Sequence, residues 1–210
     1  MSRGPVLGLV RYGAGNAGAV TAALEAQGAS VRQVTDPWGL EDPGLSALVL
    51  PGVGAMPAAV EGLKERGLWR PLREKAAAGM PLLGVCLGMQ LLFGPSEEGD
   101  AGLGLLPGRT ARLQGRRVPH LGWARVAPKP GARLFSEWKD PSYAYFAHSY
   151  AVVDVPDAIV AARTEGEEEG EGVVAAVSSG QIQGVQFHPE RSQGAGMSVL
   201  AGFLSQVAGA

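Results

Sequence analysis

Three continuous apolar runs, Val6–Val10, Ser46–Leu50 and Pro81–Val85, each lead into a glycine-containing turn and then a helical pattern. Uninterrupted apolar runs belong to strands covered on both faces, and strands alternating with helices pack as a doubly wound, mostly parallel sheet. The helical patterns fall at Ala17 to Gln27, Pro57 to Glu65 and Leu68 to Ala78, with Gly28 and Gly79 closing the first and last. Ser30 to Thr35 supplies a further strand. After Gly94-Pro95 the pattern changes to short candidate strands: Leu105–Leu113, Val118–Val126, Tyr143–Val153, Ile159–Thr164, Val173–Ser178 and Gln181–Gln186. These read as antiparallel, with Ser179-Gly180 as a hairpin turn, before a closing helix from Gly196 to Val207. A chain of 210 residues can bury a large core, and residues 1–210 are expected to form one α/β domain.

Composition removes several classes of function. The 18 Lys and Arg against 20 Asp and Glu leave a net charge of −2 and no basic stripe, so neither nucleic acid nor an anionic membrane is an expected partner. With 1 cysteine there is no intrachain disulfide framework and no Cys-based zinc pattern, and no metal or cofactor is expected. The apolar run after Met1 to Pro5 is too short for a signal peptide or a membrane span, which makes the cytoplasm the expected location. Glu165–Glu171 reads as a solvated loop, and Arg116-Arg117 as a small basic spot without evident meaning.

The cysteine stands in Gly84-Val85-Cys86-Leu87-Gly88, between the third apolar run and the helical pattern Leu87–Phe93. Gly-x-Cys-x-Gly between strand and helix has the form of a nucleophile elbow, with sulfur in place of oxygen. Such a turn pushes its central side chain out at a helix N-terminus, whose partial positive charge favours the reactive thiolate. A lone cysteine is also a common packing residue, so a second group has to choose between the readings. Gln186-Phe187-His188-Pro189-Glu190 supplies one. Proline holds His188 extended, residues two apart in an extended backbone share a side, and Glu190 can then orient the imidazole. Nucleophile, base and orienting acid would be Cys86, His188 and Glu190. His120 and His148, each at a strand end, read as hydrogen-bonded structural residues. Gly13-Ala14-Gly15-Asn16-Ala17-Gly18 also fits G-x-G-x-x-G literally, with Asp36 as the acidic residue of a dinucleotide site.

Gly84-Val85-Cys86-Leu87-Gly88-Met89-Gln90 together with Gln186-Phe187-His188-Pro189-Glu190 resembles the class I (triad) glutamine amidotransferases. Pro51-Gly52-Val53-Gly54, Pro119-His120-Leu121-Gly122-Trp123 and Phe146-Ala147-His148-Ser149-Tyr150 are similar to the glutaminase subunits of imidazole glycerol phosphate synthase within that family. The resemblance spans essentially the whole chain. It implies a flavodoxin-like fold: a central mixed, mostly parallel sheet flanked by helices, with antiparallel strands from the C-terminal half. It also implies glutamine hydrolysis through a glutamyl thioester on Cys86, with the backbone N–H groups of Leu87 and Val53 as oxyanion donors. Glutamine would meet Gly52, Gln90, Glu98, Ser149 and Tyr150. The implied partner is a (βα)8-barrel cyclase subunit, bound as a heterodimer through Tyr12, Asn16, Trp123 and Tyr145 and receiving the ammonia, so the first glycine loop would face that partner rather than a nucleotide. Two positions depart from the family's usual residues: Ala124 where Asn is common, and Ala19 where a small polar residue is usual. Another class I amidotransferase subunit, or a non-catalytic binding module with Cys86 buried, are the alternative readings.

Overall fold

The computed structural model describes residues 4–13, 16–114, 118–139, 142–165 and 172–208. Its large sheet has nine strands among the described residues. Strands β1 (Val6–Val10), β2 (Ser30–Val34), β3 (Ala47–Gly52) and β4 (Leu82–Cys86) come from the first half of the chain. They lie parallel to one another in the 2-1-3-4 order of flavodoxin-like sheets, and β11 (Ile182–Val185) adds to β4 in the same direction. From there β10 (Val174–Ser179), β9 (Val160–Thr164), β6 (His120–Pro128) and β7 (Ser142–His148) continue the sheet in antiparallel pairs.

Alternation along the central strands builds two cores. Leu7, Leu9, Val49, Leu83 and Val85 point to one face, beneath α1 (Ala17–Ala26) and α6 (Gln193–Ala208). Val10, Leu48, Leu50 and Leu82 point to the other, beneath α3 (Met56–Glu65) and α4 (Trp69–Ala77). With both faces covered, the central strands have no polar side to present, which is why they read as unbroken apolar runs. Cys86 ends the alternation. It joins the same cluster as its neighbour Val85, because the chain turns sharply there.

Several sequence expectations are corrected. The predicted strand Tyr143–Val153 is two strands in two sheets: β7 edges the large sheet, while β8 (Tyr150–Val153) pairs with β5 (Arg109–Arg112) in a separate two-stranded sheet. The chain bends at Ser149, between them. The predicted strand Leu105–Leu113 shrinks to β5, since the N–H groups of Leu105 and Leu106 both bond to the Leu92 carbonyl. The helix predicted over Leu87–Phe93 is a single turn, α5 (Leu87–Gln90). Segment 102–106 folds back and takes the carbonyls of Leu91, Leu92, Phe93 and Gly94 that a longer helix would have used. The hairpin turn is one residue later than predicted, because Ser179 still pairs with Ile182. A short helix not read from the sequence, α2 (Pro37–Leu40), is capped by Asp36, whose carboxylate accepts from the Gly39 N–H at 3.1 Å. Asp36 is thereby committed to a cap, against the dinucleotide reading; Ala14-Gly15 of that loop, Arg116-Arg117 and residues 166–171 lie outside the described residues.

Helix α6 offers an internal comparison of two glycines. A Cβ on Gly202 would stand 2.3 Å from the Leu134 carbonyl oxygen, whereas one on Gly194 would meet nothing within 4 Å. Helix propensity favours alanine at both positions, and packing forbids it at one. Gly202→Ala is expected to lower stability by about 2 kcal/mol or more, while Gly194→Ala raises it by roughly 0.5 kcal/mol. Urea unfolding of the two variants beside the parent chain checks this; a loss of equal size in both would refute the packing account.

Candidate active site

Strands β3 and β4 run side by side with Gly52 registered opposite Cys86, so the turns leaving both strands open at one sheet edge. Cys86 has φ 55° and ψ −113°, a conformation that a side-chain-bearing residue holds only under strain, on the order of 1–3 kcal/mol. The flanking glycines make the turn possible. A Cβ on Gly84 would lie 2.6 Å from the Gly88 carbonyl oxygen, and one on Gly88 would lie 1.7 Å from that of Leu50. Leu87 opens α5, so its N–H has no partner within the helix. With α5 only four residues long, the help a thiolate receives from the helix comes from such free N–H groups rather than from an extended dipole, a correction to the sequence expectation.

His188 arrives from β11, the strand on the other side of β4. Its backbone is pinned twice: the His188 N–H donates to the Tyr145 carbonyl at 2.9 Å, and the Ser192 hydroxyl donates to the His188 carbonyl at 2.6 Å. His188 Nδ1 lies 2.9 Å from Glu190 Oε1, which also accepts from Asn16 Nδ2 at 3.2 Å. The contact with Glu190 is made differently from the sequence expectation. Residues Pro189–Arg191 form a 3₁₀ turn, and this rather than continued extension brings the carboxylate back under the ring. Since Nδ1 is occupied, Nε2 is the nitrogen left for the hydrogen bond with Cys86. Burial by itself would lower the pKa of His188. The hydrogen bonds to Cys86 and Glu190, and the negative charge those groups can carry, outweigh burial and raise it to about 10. The Glu190 side chain is 1% exposed, and its Oε2 has no hydrogen-bond partner among the described residues, so a cationic ring at His188 is what compensates this buried carboxyl group. The three groups can therefore act as nucleophile, proton carrier and orienting acid.

These groups open onto a cavity of about 560 Å³, a size suited to a small metabolite. Of the residues singled out in the sequence, Asn16, Val53, Cys86, Leu87, Gln90, Glu98, Ser149, Tyr150 and His188 line it. Glu190 stands behind His188. Glu98 Oε2 accepts from the Met56 N–H at 2.8 Å, capping α3. The amide of Gln90 is engaged within the protein, its Nε2 lying 2.8 Å from the Tyr150 carbonyl and 3.1 Å from Gln186 Oε1.

The expected partner-facing residues divide. Tyr12 is only 5% exposed; its hydroxyl donates to the Pro51 carbonyl at 2.7 Å beneath Gly52, and burial followed by the charge of Cys86 raises its pKa. Its ring therefore supports the β3 turn from inside instead of presenting a surface. Asn16 is exposed at the cavity rim. Trp123 is 49% exposed, meets Tyr145 edge-on at 6.0 Å, and shares an outer patch with Leu121 and Tyr143. Arg191 places its guanidinium 4.1 Å above the Tyr145 ring. Ala124, one of the two departures, packs against the core on the opposite side of β6 from Trp123, so it takes no part in that patch.

Sequence reading passed over Gln186 and Arg191 and treated His148 as structural. His148 lines the cavity, and its Nδ1 lies 2.8 Å from the Tyr150 carbonyl, which fixes the proton on that nitrogen. Its Nε2 then accepts from His120 Nδ1 at 3.2 Å, and His120 stacks on Phe146 with ring centres 4.7 Å apart. Burial is the main cause that lowers the His148 pKa to about 4; the Tyr150 bond opposes it, and His120 and His188 reinforce it. Two histidines in one cavity are thus held in opposite states. His148 resists a proton that the unfolded chain accepts below about 6.5, so its contribution to stability is present above that pH and is lost as pH falls through about 4. Replacing His148 by Gln should therefore cost stability at pH 7, and that cost should shrink by roughly 1–2 kcal/mol at pH 5. For His188 the sign reverses: its contribution is full below about 6.5 and is lost as pH rises through about 10, so the cost of His188→Gln should shrink toward pH 10. Thermal unfolding of the variants across pH checks both; costs independent of pH would refute them.

The family model described as glutamine amidotransferase class-I matches residues 17–207. A protein of Symbiobacterium thermophilum named imidazole glycerol phosphate synthase subunit HisH is 43% identical over 196 residues, covering 92% of this chain and 90% of its own length. A protein of the same name from Synechococcus elongatus is 39% identical over 215 residues, covering 100% of this chain and 97% of its own length. A solved structure described as glutamine amidotransferase superposes with a TM-score of 0.76 over 97% of this chain and 99% of its own, at 21% identity, a likeness of fold alone. With a family match over most of its length and full-length relatives near 40% identity, this chain belongs to the class I glutamine amidotransferases.

Proposed function

We propose that the chain, as one amidotransferase domain, is the glutaminase subunit of an imidazole glycerol phosphate synthase. The carrying observation is the strained Cys86 at the carboxyl edge of β4, hydrogen-bonded to a His188 that is itself held by Glu190. In this reading Cys86 attacks the side-chain carbonyl of glutamine as a thiolate. The C–S bond forms, the C–N bond breaks, and the proton on His188 leaves with ammonia. His188 then takes a proton from water, hydroxide attacks the glutamyl thioester, and the electron pair of the C–S bond returns to sulfur as glutamate departs. The Leu87 N–H, without a partner inside α5, serves as one oxyanion donor. Val53, on the turn registered beside Cys86, supplies the second once that turn is suitably oriented. Glutamine is held by Gly52, Gln90, Glu98, Ser149 and Tyr150.

The relatives are named as subunits of imidazole glycerol phosphate synthase. In the proposed reading the acceptor chemistry falls to a second chain, a (βα)8-barrel cyclase subunit that forms a heterodimer with this one in the cytoplasm. The exposed patch of Leu121, Trp123 and Tyr143 beside the cavity suits that contact, and ammonia would pass across it. Among the described residues no helix is long and apolar enough to cross a membrane.

Glutamate release is expected to be slow for the isolated chain and to rise strongly when the cyclase subunit and its ribonucleotide ligand are added. Cys86→Ala should lower the stimulated rate at least about a thousandfold. Diazo-oxo-norleucine should form a single adduct on Cys86. Equal rates with and without the partner would sink the gating claim, and an unlabelled Cys86 in the stimulated complex would sink the glutaminase reading itself.

A further inference from the structure

Gln186 is fully buried, 0% exposed, in the run that carries His188. Its backbone N–H continues the pairing beyond β11, bonding to the Ala175 carbonyl at 2.9 Å, so Gln186 and His188 share one side while Phe187 packs on Phe146 at 5.8 Å on the other. Gln186 Nε2 lies 3.8 Å from Cys86 Sγ. The two ends of a glutamine amide look alike to a neighbour that both donates and accepts, so orientation has to be derived from partners that do only one.

Such a partner is present. The Tyr150 carbonyl only accepts, and it lies 2.8 Å from the Gln90 amide, so the nitrogen of Gln90 faces it. The second hydrogen of that nitrogen is directed at Gln186, 3.1 Å away, where it requires the oxygen. The nitrogen of Gln186 is then left facing the sulfur. The Tyr150 carbonyl is itself held from the other side by His148 Nδ1 at 2.8 Å. One acceptor-only carbonyl thus fixes two buried amides in turn.

We infer that Gln186 is a positioning residue for the nucleophile: its amide N–H donates to Cys86 Sγ, favours the thiolate and, with His188, sets the direction of the sulfur. The inference rests on the reading of Cys86 as nucleophile and deepens it. A donor at this place acts twice in the cycle, first holding the attacking thiolate and then receiving it when the thioester is hydrolysed. During the thioester stage the sulfur carries no full charge and the bond weakens, so the amide favours the two charged ends of the sequence over its middle.

The test is alkylation of Cys86 by iodoacetamide across pH 5 to 10 in the full chain, with the parent compared to Gln186→Met and Gln186→Glu. As 1 cysteine is present, every thioether adduct on cysteine reports on this site. Losing a donor to a charged sulfur should move the midpoint of the rising limb up by about one pH unit. The plateau rate should increase about threefold, because a more basic thiolate is more nucleophilic. A residue needed only for packing would change the melting temperature and leave the profile in place, so a profile superimposable on the parent's overturns the inference. If the methionine variant does not fold, the glutamate variant decides: it keeps the shape and the bond from Gln90, and it faces the sulfur with an acceptor. Failure of the underlying reading looks different. The alkylation profile of parent Cys86 would then be unchanged by His188→Gln, and that result overturns the inference as well.

Discussion

The site depends first on one steric approach, that of the elbow backbone to the neighbouring strand. Gly88 comes so close to the Leu50 carbonyl that a single added carbon would sit 1.7 Å from its oxygen. Only with the chain this close can β4 turn into α5 within one residue, and only then is Cys86 driven to φ 55° with its side chain redirected. Everything else at the site is arranged around a sulfur whose place is set by backbone packing. The strain, on the order of 1–3 kcal/mol, is offset by the burial of β3 and β4, every residue of which is buried. A short α5 follows from the same geometry. The carbonyls after it are taken by residues 102–106, so the turn is locked from the far side too.

Around that sulfur, charge is controlled by pairing on one side and by exclusion on the other. His188 and His148 are both buried, at 6% exposure each, yet one is pushed up to about 10 and the other down to about 4. Desolvation acts against the charged form of both. His188 has a carboxylate on Nδ1 and, on its other nitrogen, a sulfur that can carry negative charge, so a proton there is compensated. His148 has a neutral carbonyl and a second imidazole as partners, so a proton there would be uncompensated. The consequence is chemical. The cavity holds one proton that can be delivered to a leaving group and one ring that stays a fixed dipole, and neither can take over the part of the other.

Much of this was legible in the sequence, and the reasons for the rest are specific. Parallel strands covered on both faces leave an unmistakable apolar signature, and the first four strands were placed to within two residues at either end. The glycines of the elbow were readable because their spacing reflects a steric demand local to five residues. His188 and Glu190 were readable as a pair, although a 3₁₀ turn rather than extension brings them together, because either geometry leaves residues two apart on one side. The same rule, applied two residues upstream, would have singled out Gln186. The failures were long-range. Nothing within Leu87–Phe93 says that residues 102–106 will claim its carbonyls and cut the helix to one turn, and nothing within Tyr143–Val153 says that its halves pair with different sheets. Tyr12 was misjudged for a like reason. A tyrosine in a glycine-rich loop looks like surface until the Pro51 carbonyl, 39 residues away, is seen to hold its hydroxyl.

The hairpin of β6 and β7 ties the outer surface to the chemistry more closely than either was expected to be. Trp123 and Tyr145 face outward as a registered pair, while the next alternate pairs along the same strands lead to His120 opposite His148, and His148 lines the cavity. The backbone of Tyr145 also holds the His188 segment in place. Its carbonyl accepts from the His188 N–H, its N–H donates to the Ser192 hydroxyl, and that hydroxyl donates back to the His188 carbonyl. A chain seated on Trp123 and Tyr145 would therefore touch side chains whose own backbone is bonded to His188. Coupling between two sites is carried by packed elements and hydrogen bonds that both sites bias, and here the connecting element is one residue wide. The β3 turn is connected less directly. Gly52 rests on the Tyr12 hydroxyl and on α5, and beyond it Val53 is 38% exposed. Of the two loops that frame the sulfur, the one carrying His188 is locked by these three hydrogen bonds, and the one carrying Val53 is left with its side chain toward solvent. If binding of a second chain changes the site, the balance of these constraints places the movement at Val53 and the steady reference at His188.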